Sequence, residues 1–189
     1  MPPKGKTSKS AKAEAAPLTT AQSLGSSIKS ARDIMRKDKG LNGDLDRLPL
    51  LTWVMFLKFL DDLESQREDE AKLGTERFRP VLAAPYRWRD WASDKKGLTG
   101  DELLDFVNIR LFPTLKSLQP AHDDKRGFVI RSVFEDAYNY MKSGHLMRQV
   151  INKIVEGVDF NKAQDRHLFG DLYEQILRDL QNAGNAGEY

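Results

Sequence analysis

Leu50-Leu51-Thr52-Trp53-Val54-Met55-Phe56-Leu57-Lys58-Phe59-Leu60 is apolar on nearly every face of a helix, so neighbouring elements must cover it on most sides. The stretch predicts a central helix. Lys58 interrupts it and it falls short of the roughly 20 apolar residues that cross a bilayer, so it belongs to a folded core. Upstream, Asn42-Gly43 makes a turn, Asp46 is placed to cap, and Pro49 suits a first helical turn. Downstream the pattern turns charged through Asp61, Asp62, Glu64, Arg67, Glu68, Asp69 and Glu70. With no histidine or third ligand nearby, a solvated helix end is favoured over a metal or acid/base site.

Working outward, Leu24, Ile28, Ala31 and Met35 recur at helical spacing, with Gly40 as a stop. Thr99-Gly100-Asp101-Glu102 has the spacing of a capping box, and its helix is expected to end before Pro113. Further helices run through Val129, Ile130, Val133, Phe134, Ala137 and Tyr138, and, after Ser143-Gly144, through Leu146, Val150, Ile154 and Val155. A last one opens at Asp165 and presents Leu168, Leu172, Ile176 and Leu180. Between them the period changes: Arg77-Phe78-Arg79-Pro80 and Tyr86-Arg87-Trp88-Arg89-Asp90-Trp91 alternate aromatic with charged residues. That alternation predicts a small β-ribbon around residues 76–92. The expected fold is mainly α, a single-core multi-helix domain with this one ribbon.

Composition narrows the function. The 189 residues are 40% hydrophobic and 31% charged, which is globular. With no cysteine, disulfides, thiolate zinc sites and cysteine nucleophiles are excluded. The three histidines, His122, His145 and His167, lack metal-motif offsets, and neither a glycine-rich phosphate loop nor a serine elbow is present. The net charge of +2 is concentrated in Lys4, Lys6, Lys9 and Lys12; residues 17 to 189 are nearly balanced. Any basic surface of the folded part is therefore local. Residues 1–20 read as a disordered basic tail; with no apolar run after the lysines it is not a secretory signal, so a cytoplasmic location is expected.

One constellation has binding character: Arg77, Arg79, Arg87, Arg89, Lys95 and Lys96, interleaved with Phe78, Tyr86, Trp88 and Trp91. On an alternating ribbon the aromatics would pack inward and the arginines would form an outward face for phosphates. Alternatively, the aromatics anchor the segment while the arginines pair with local acids.

Several stretches together resemble the N-terminal helical domain of the methyltransferase subunit of type I restriction-modification systems. They are Ser27-Ile28-Lys29-Ser30-Ala31-Arg32-Asp33-Ile34-Met35-Arg36, the core helix ending in Lys58-Phe59-Leu60-Asp61, and Phe169-Gly170-Asp171-Leu172-Tyr173-Glu174-Gln175-Ile176-Leu177. To these is added Gly187-Glu188-Tyr189. The resemblance implies a domain over 21–182 with 183–189 beginning a linker to a catalytic domain that lies beyond the sequence. It implies that Gly187, Glu188 and Tyr189 edge an S-adenosylmethionine site. It also implies a parent that methylates adenine N6 in DNA, together with a specificity subunit, a restriction subunit and a second methyltransferase subunit. Because such a base must be flipped from the duplex, the domain would help to assemble the complex and clamp DNA. Neither the cofactor motif nor the Asn-Pro-Pro-aromatic motif occurs in the sequence, so the chain itself is expected to hold no cofactor, metal or catalytic residue and to have no methyltransferase activity. An independent helical adaptor and a stand-alone DNA-binding protein are the alternatives.

Overall fold

A computed structural model describes residues 20–74, 77–119 and 124–161, together with His167 and Glu174. The basic tail, most of the helix expected from Asp165, and Gly187-Glu188-Tyr189 lie outside the described residues. The fold is mainly helical. In order come α1 (Thr20–Met35), α2 (Asp44–Leu73), α3 (Trp88–Trp91), α4 (Gly100–Asp105), a π-helical turn (Phe106–Leu111), α5 (Phe112–Lys116), α6 (Arg126–Phe134) and α7 (Gly144–Gly157). None of the described residues forms a strand.

α2 fulfils the expectation of a central helix. Leu48, Leu50, Leu51, Trp53, Val54, Met55 and Leu57 are all buried on it. It begins earlier than Pro49 suggested, at Asp44, and Asp46 accepts from the Asn42 N–H at 3.0 Å rather than capping the first turn from outside. α7 packs between α1 and α4 through Met147, Val150, Ile151 and Ile154, spacings that place one apolar stripe on a helix. Its start is capped by the Ser143 hydroxyl, which accepts from the Leu146 N–H at 3.2 Å. Gly144 sits against the Gly100 carbonyl with no room for a Cβ, so α4 and α7 touch backbone to backbone there.

Aromatic rings tie the layers together. Trp53 and Phe112 meet edge to face at 5.1 Å, and Phe112 and Phe134 at 5.6 Å. A second group joins Trp88, Trp91 and Phe106, at 5.4 Å and 5.5 Å between successive rings.

Three local expectations change. The ribbon is replaced by an irregular segment with a cis Ala84-Pro85 bond, followed by one helical turn, Trp88–Trp91. The alternation from Tyr86 to Trp88 fits a strand, but Trp88 and Trp91, both buried, are three apart, which is a helical spacing. The helix begun at α4 runs through Pro113 instead of stopping before it. The π-helical turn widens the ladder ahead of a residue that lacks an N–H and crowds the preceding turn. Thr99 forms no side-chain cap bond to α4; its hydroxyl lies 3.1 Å from His145 Nδ1, and Gly100 takes a positive φ of 59°. α6 ends at Phe134, leaving Ala137 and Tyr138 beyond it.

Candidate nucleic-acid interface

The charged half of α2 is not simply solvated. Asp62 and Glu64 are buried, and Asp61 is partly so. Asp62 and Glu64 each anchor a chain segment that lacks regular structure. Asp62 pairs with Lys58 and accepts from the Phe160 N–H at 3.1 Å. Glu64 accepts from the Val81 N–H at 3.2 Å and from Arg126 Nη1 at 2.6 Å. Arg126 then donates to the Arg79 carbonyl at 3.0 Å and to both carboxylate oxygens of Asp124. One guanidinium thus ties α2, the segment 79–81 and the start of α6 into a single wall. Five donors in a planar fork make arginine suited to this.

That wall bounds an open groove of about 1170 Å³ whose charged lining is Arg67, Glu70, Arg77, Arg79, Asp124 and Arg126. Among the described residues Arg67, Arg77 and Arg79 make no ion pair, and all three are exposed. Three unpaired guanidiniums outweigh the one unpaired carboxylate, Glu70, so the groove attracts anions.

The other candidates fall elsewhere. Arg87 is held bidentately by Asp90, at 2.9 and 2.7 Å, within the turn of α3. Arg89 bridges Asp61 and Glu68 on α2, each at 2.9 Å, and so locks the Trp88–Trp91 turn to the central helix. Lys95 pairs with Glu156 near the end of α7 at 2.9 Å, whereas Lys96 is exposed. Arg77 and Arg79 therefore share a groove, while Arg87, Arg89 and Lys95 are bound to acids. Gly187, Glu188 and Tyr189 lie outside the described residues. The sequence does not mark Arg67 and Arg126 as binding candidates: Arg67 belongs to the charged end of α2 and Arg126 opens α6, and the fold brings both to the groove of Arg77 and Arg79. Among the described residues no cluster of three His, Asp or Glu is arranged to hold a metal ion, and no helix is long and apolar enough to cross a membrane.

Electrostatics at the wall run in opposite directions for its two acids. Burial pushes the Glu64 carboxyl up, against the pull of the Val81 N–H and Arg126. Hydrogen bonds from the Arg126 side chain and backbone bring Asp124 down from 3.8 to about 2. A carboxylate with a depressed folded-state pKa contributes stability that is present above its unfolded value and is lost as pH falls through the folded one. The chain is expected to lose part of its thermal stability between about pH 4 and pH 2 through Asp124. Asp124→Asn should flatten that part of the Tm profile; a profile parallel to the parent's across the window would show that Asp124 contributes nothing.

A family model described as the HsdM N-terminal domain matches residues 24–154. The chain is 55% identical over 168 residues to the type I restriction enzyme EcoEI methylase subunit of Escherichia coli, covering 88% of this chain and 33% of that protein. It therefore spans about a third of the length of the curated relative it matches. It also superposes on a modification subunit of a putative type I restriction enzyme from Vibrio vulnificus YJ016, with a TM-score of 0.79 and 50% identity over 90% of this chain and 37% of that one. A chain from a structure concerned with complex assembly and conformational transition of the type I R-M system gives a TM-score of 0.70 at 36% identity, over 87% of this chain and 32% of that one.

Proposed function

The chain belongs to the HsdM N-terminal domain family, and on that premise we propose that it is the accessory helical domain of a type I restriction-modification methylase subunit. The identity of 55% to a methylase subunit over 88% of the chain carries this reading. In it, residues 21–182 precede a catalytic domain that binds S-adenosylmethionine and methylates adenine N6. The domain assists assembly with the specificity subunit, the restriction subunit and a second methylase subunit, and helps to close the complex on DNA. A clamp of this kind needs contacts to phosphate rather than to base edges, because positioning on a duplex is independent of sequence.

The groove of Arg67, Arg77 and Arg79 supports the DNA contact. Its guanidiniums make no salt bridge among the described residues, whereas Arg87 and Arg89 already hold the fold together. The isolated chain is expected to bind a short duplex weakly, with affinity that drops steeply as salt rises. Changing Arg67, Arg77 and Arg79 together to Gln should weaken binding roughly tenfold or more and lower the salt slope by about two to three. Fluorescence anisotropy at several salt concentrations measures both. Unchanged affinity and slope would remove the groove from the DNA contact.

A further inference from the structure

Between α6 and α7 the chain alternates in exposure: Tyr138 is 58% and Tyr140 45% exposed and Lys142 is exposed, whereas Asn139 and Met141 are buried. That is the two-residue period of extended chain, with two aromatic rings and an ammonium group on the outer side. The segment has no ladder to hold it, and buried side chains do so instead. The Asn139 amide donates to Asn108 Oδ1 at 3.1 Å and accepts from the Met141 N–H at 3.0 Å, and the Lys142 N–H donates to Asp38 at 3.0 Å. The two tyrosine rings brace each other, with centroids 4.8 Å apart and planes tilted by 59°. Large rings held outward on a fixed backbone lose little conformational freedom on binding, which suits a contact surface.

The charge beside the rings points to the partner. Gly40 lies against the Tyr140 carbonyl and the Lys142 side chain, which brings the connection after α1 alongside, with Lys37 and Lys39 exposed on it. Lys37, Lys39 and Lys142 form no salt bridge among the described residues, and the Asp38 carboxylate is turned inward onto backbone N–H groups. The exposed acids Glu135 and Asp136 come before Tyr138, at the end of α6, whereas the lysines gather beside Tyr140. Protein interfaces are poor in lysine at their centres. Rings among unpaired lysines suit unpaired nucleic acid instead, since every base offers a face to stack and every nucleotide a phosphate. A duplex conceals those faces.

We infer that Tyr138 and Tyr140, with Lys39 and Lys142, form a platform for single-stranded nucleic acid, the bases stacking on the rings and the phosphates meeting the ammonium groups. This contact is distinct from the arginine groove. α6 rises about 12 Å from Arg126, which lines the groove, to Phe134, and the platform follows beyond that end. The inference rests on the reading that the domain works on DNA, and it adds a preference for strands that have been opened. One domain then holds duplex phosphates at one end of α6 and exposed bases at the other.

The test uses a labelled DNA strand of about 16 nucleotides, alone and annealed to its complement, titrated with the 189-residue chain and read by fluorescence anisotropy. Tyr138→Ala with Tyr140→Ala is expected to weaken single-strand binding roughly tenfold or more and to leave duplex binding close to the parent's. Tyr138→Phe with Tyr140→Phe keeps the rings and should retain single-strand binding; a loss equal to that of the alanine pair would overturn stacking. Lys39→Gln with Lys142→Gln should lower the single-strand salt slope by about 1.4. Equal single-strand affinity in the parent and the alanine pair overturns the inference, as does a parent that binds no single strand. Sedimentation velocity of the same proteins covers the other occupant: self-association of the parent that the alanine pair abolishes would assign the surface to a second copy and also overturn it. The Arg67, Arg77 and Arg79 variant is measured alongside. Duplex binding lost there, with single-strand binding intact in the alanine pair, sinks the platform and leaves the groove standing; the opposite pattern supports the platform and removes the groove.

Discussion

Replacing Arg148 with Met is expected to destabilise the domain by about 3 to 5 kcal/mol and to lower its Tm by about 10 °C or more. Arg148 is 5% exposed on α7, and its guanidinium makes no salt bridge but donates to four backbone carbonyls. It donates to Leu98 at 2.6 Å, Ala92 at 3.0 Å, Asp94 at 3.2 Å and Trp91 at 2.9 Å. Those carbonyls belong to the last residue of α3 and to the segment that leads from it to α4, which has no ladder of its own, so the side chain substitutes for secondary structure. Burial pushes the Arg148 pKa down, with Asp94 opposing, yet arginine remains charged at any pH at which the protein folds. Met matches the stem but takes the arginine's donors from the Trp91, Ala92 and Leu98 carbonyls, whereas the Asp94 carbonyl still accepts from the Gly97 N–H at 2.9 Å. Lys restores a charge on a single nitrogen that cannot span all four, so its loss should be intermediate. Urea unfolding of the parent, Arg148→Lys and Arg148→Met gives the order; equal midpoints for parent and Met variant would show that the carbonyls find other partners.

That arrangement explains which parts of the molecule were legible in the sequence. α1, α2 and α7 announce themselves because their apolar positions repeat at helical spacing: Leu24 to Met35, Leu50 to Leu60, Leu146 to Val155. Periodicity is a local property and can be read one helix at a time. It misleads where two periods coincide over a few residues, as at Tyr86, Trp88 and Trp91, where the three-residue step between the buried tryptophans decides for a helical turn. The carboxylates after Leu60 look like a wet helix end by composition. What buries them is Arg89 reaching Asp61, and Arg126 and Val81 reaching Glu64, across separations of 28, 62 and 17 residues. The candidate site divides in the same way. Arg77 and Arg79 were visible as part of a basic, aromatic run, but their separation from Arg87 and Arg89 follows from which arginines find acids, and that is a tertiary fact. Arg67 joins them only because Glu64, three residues earlier on α2, holds the segment 79–81 alongside.

Asp38 mirrors Arg148, and its replacement is the second large loss expected. The carboxylate is 4% exposed and accepts backbone N–H groups only: Gly40 at 2.8 Å, Lys142 at 3.0 Å and Ser143 at 2.9 Å. It thereby fastens the connection between α1 and α2 to the residue that caps α7. Gly40 permits the close approach, since its backbone runs against the Tyr140 carbonyl with no space for a Cβ. Asp38→Ala leaves three donors without their acceptor, at a cost of about 3 to 4 kcal/mol. Asp38→Asn keeps one oxygen but turns an amide N–H₂ toward a donor, so it should recover about half of that loss. The paired readout is the urea midpoint together with hydrogen exchange at Lys142 and Ser143. If those amides stay as protected in Asp38→Ala as in the parent, the carboxylate does not hold them. If they exchange quickly while α2 remains protected, the loss is local: an acid that accepts three amides fastens irregular chain to the α1–α7 pair, just as Arg148 fastens it from the other end of α7's first turn.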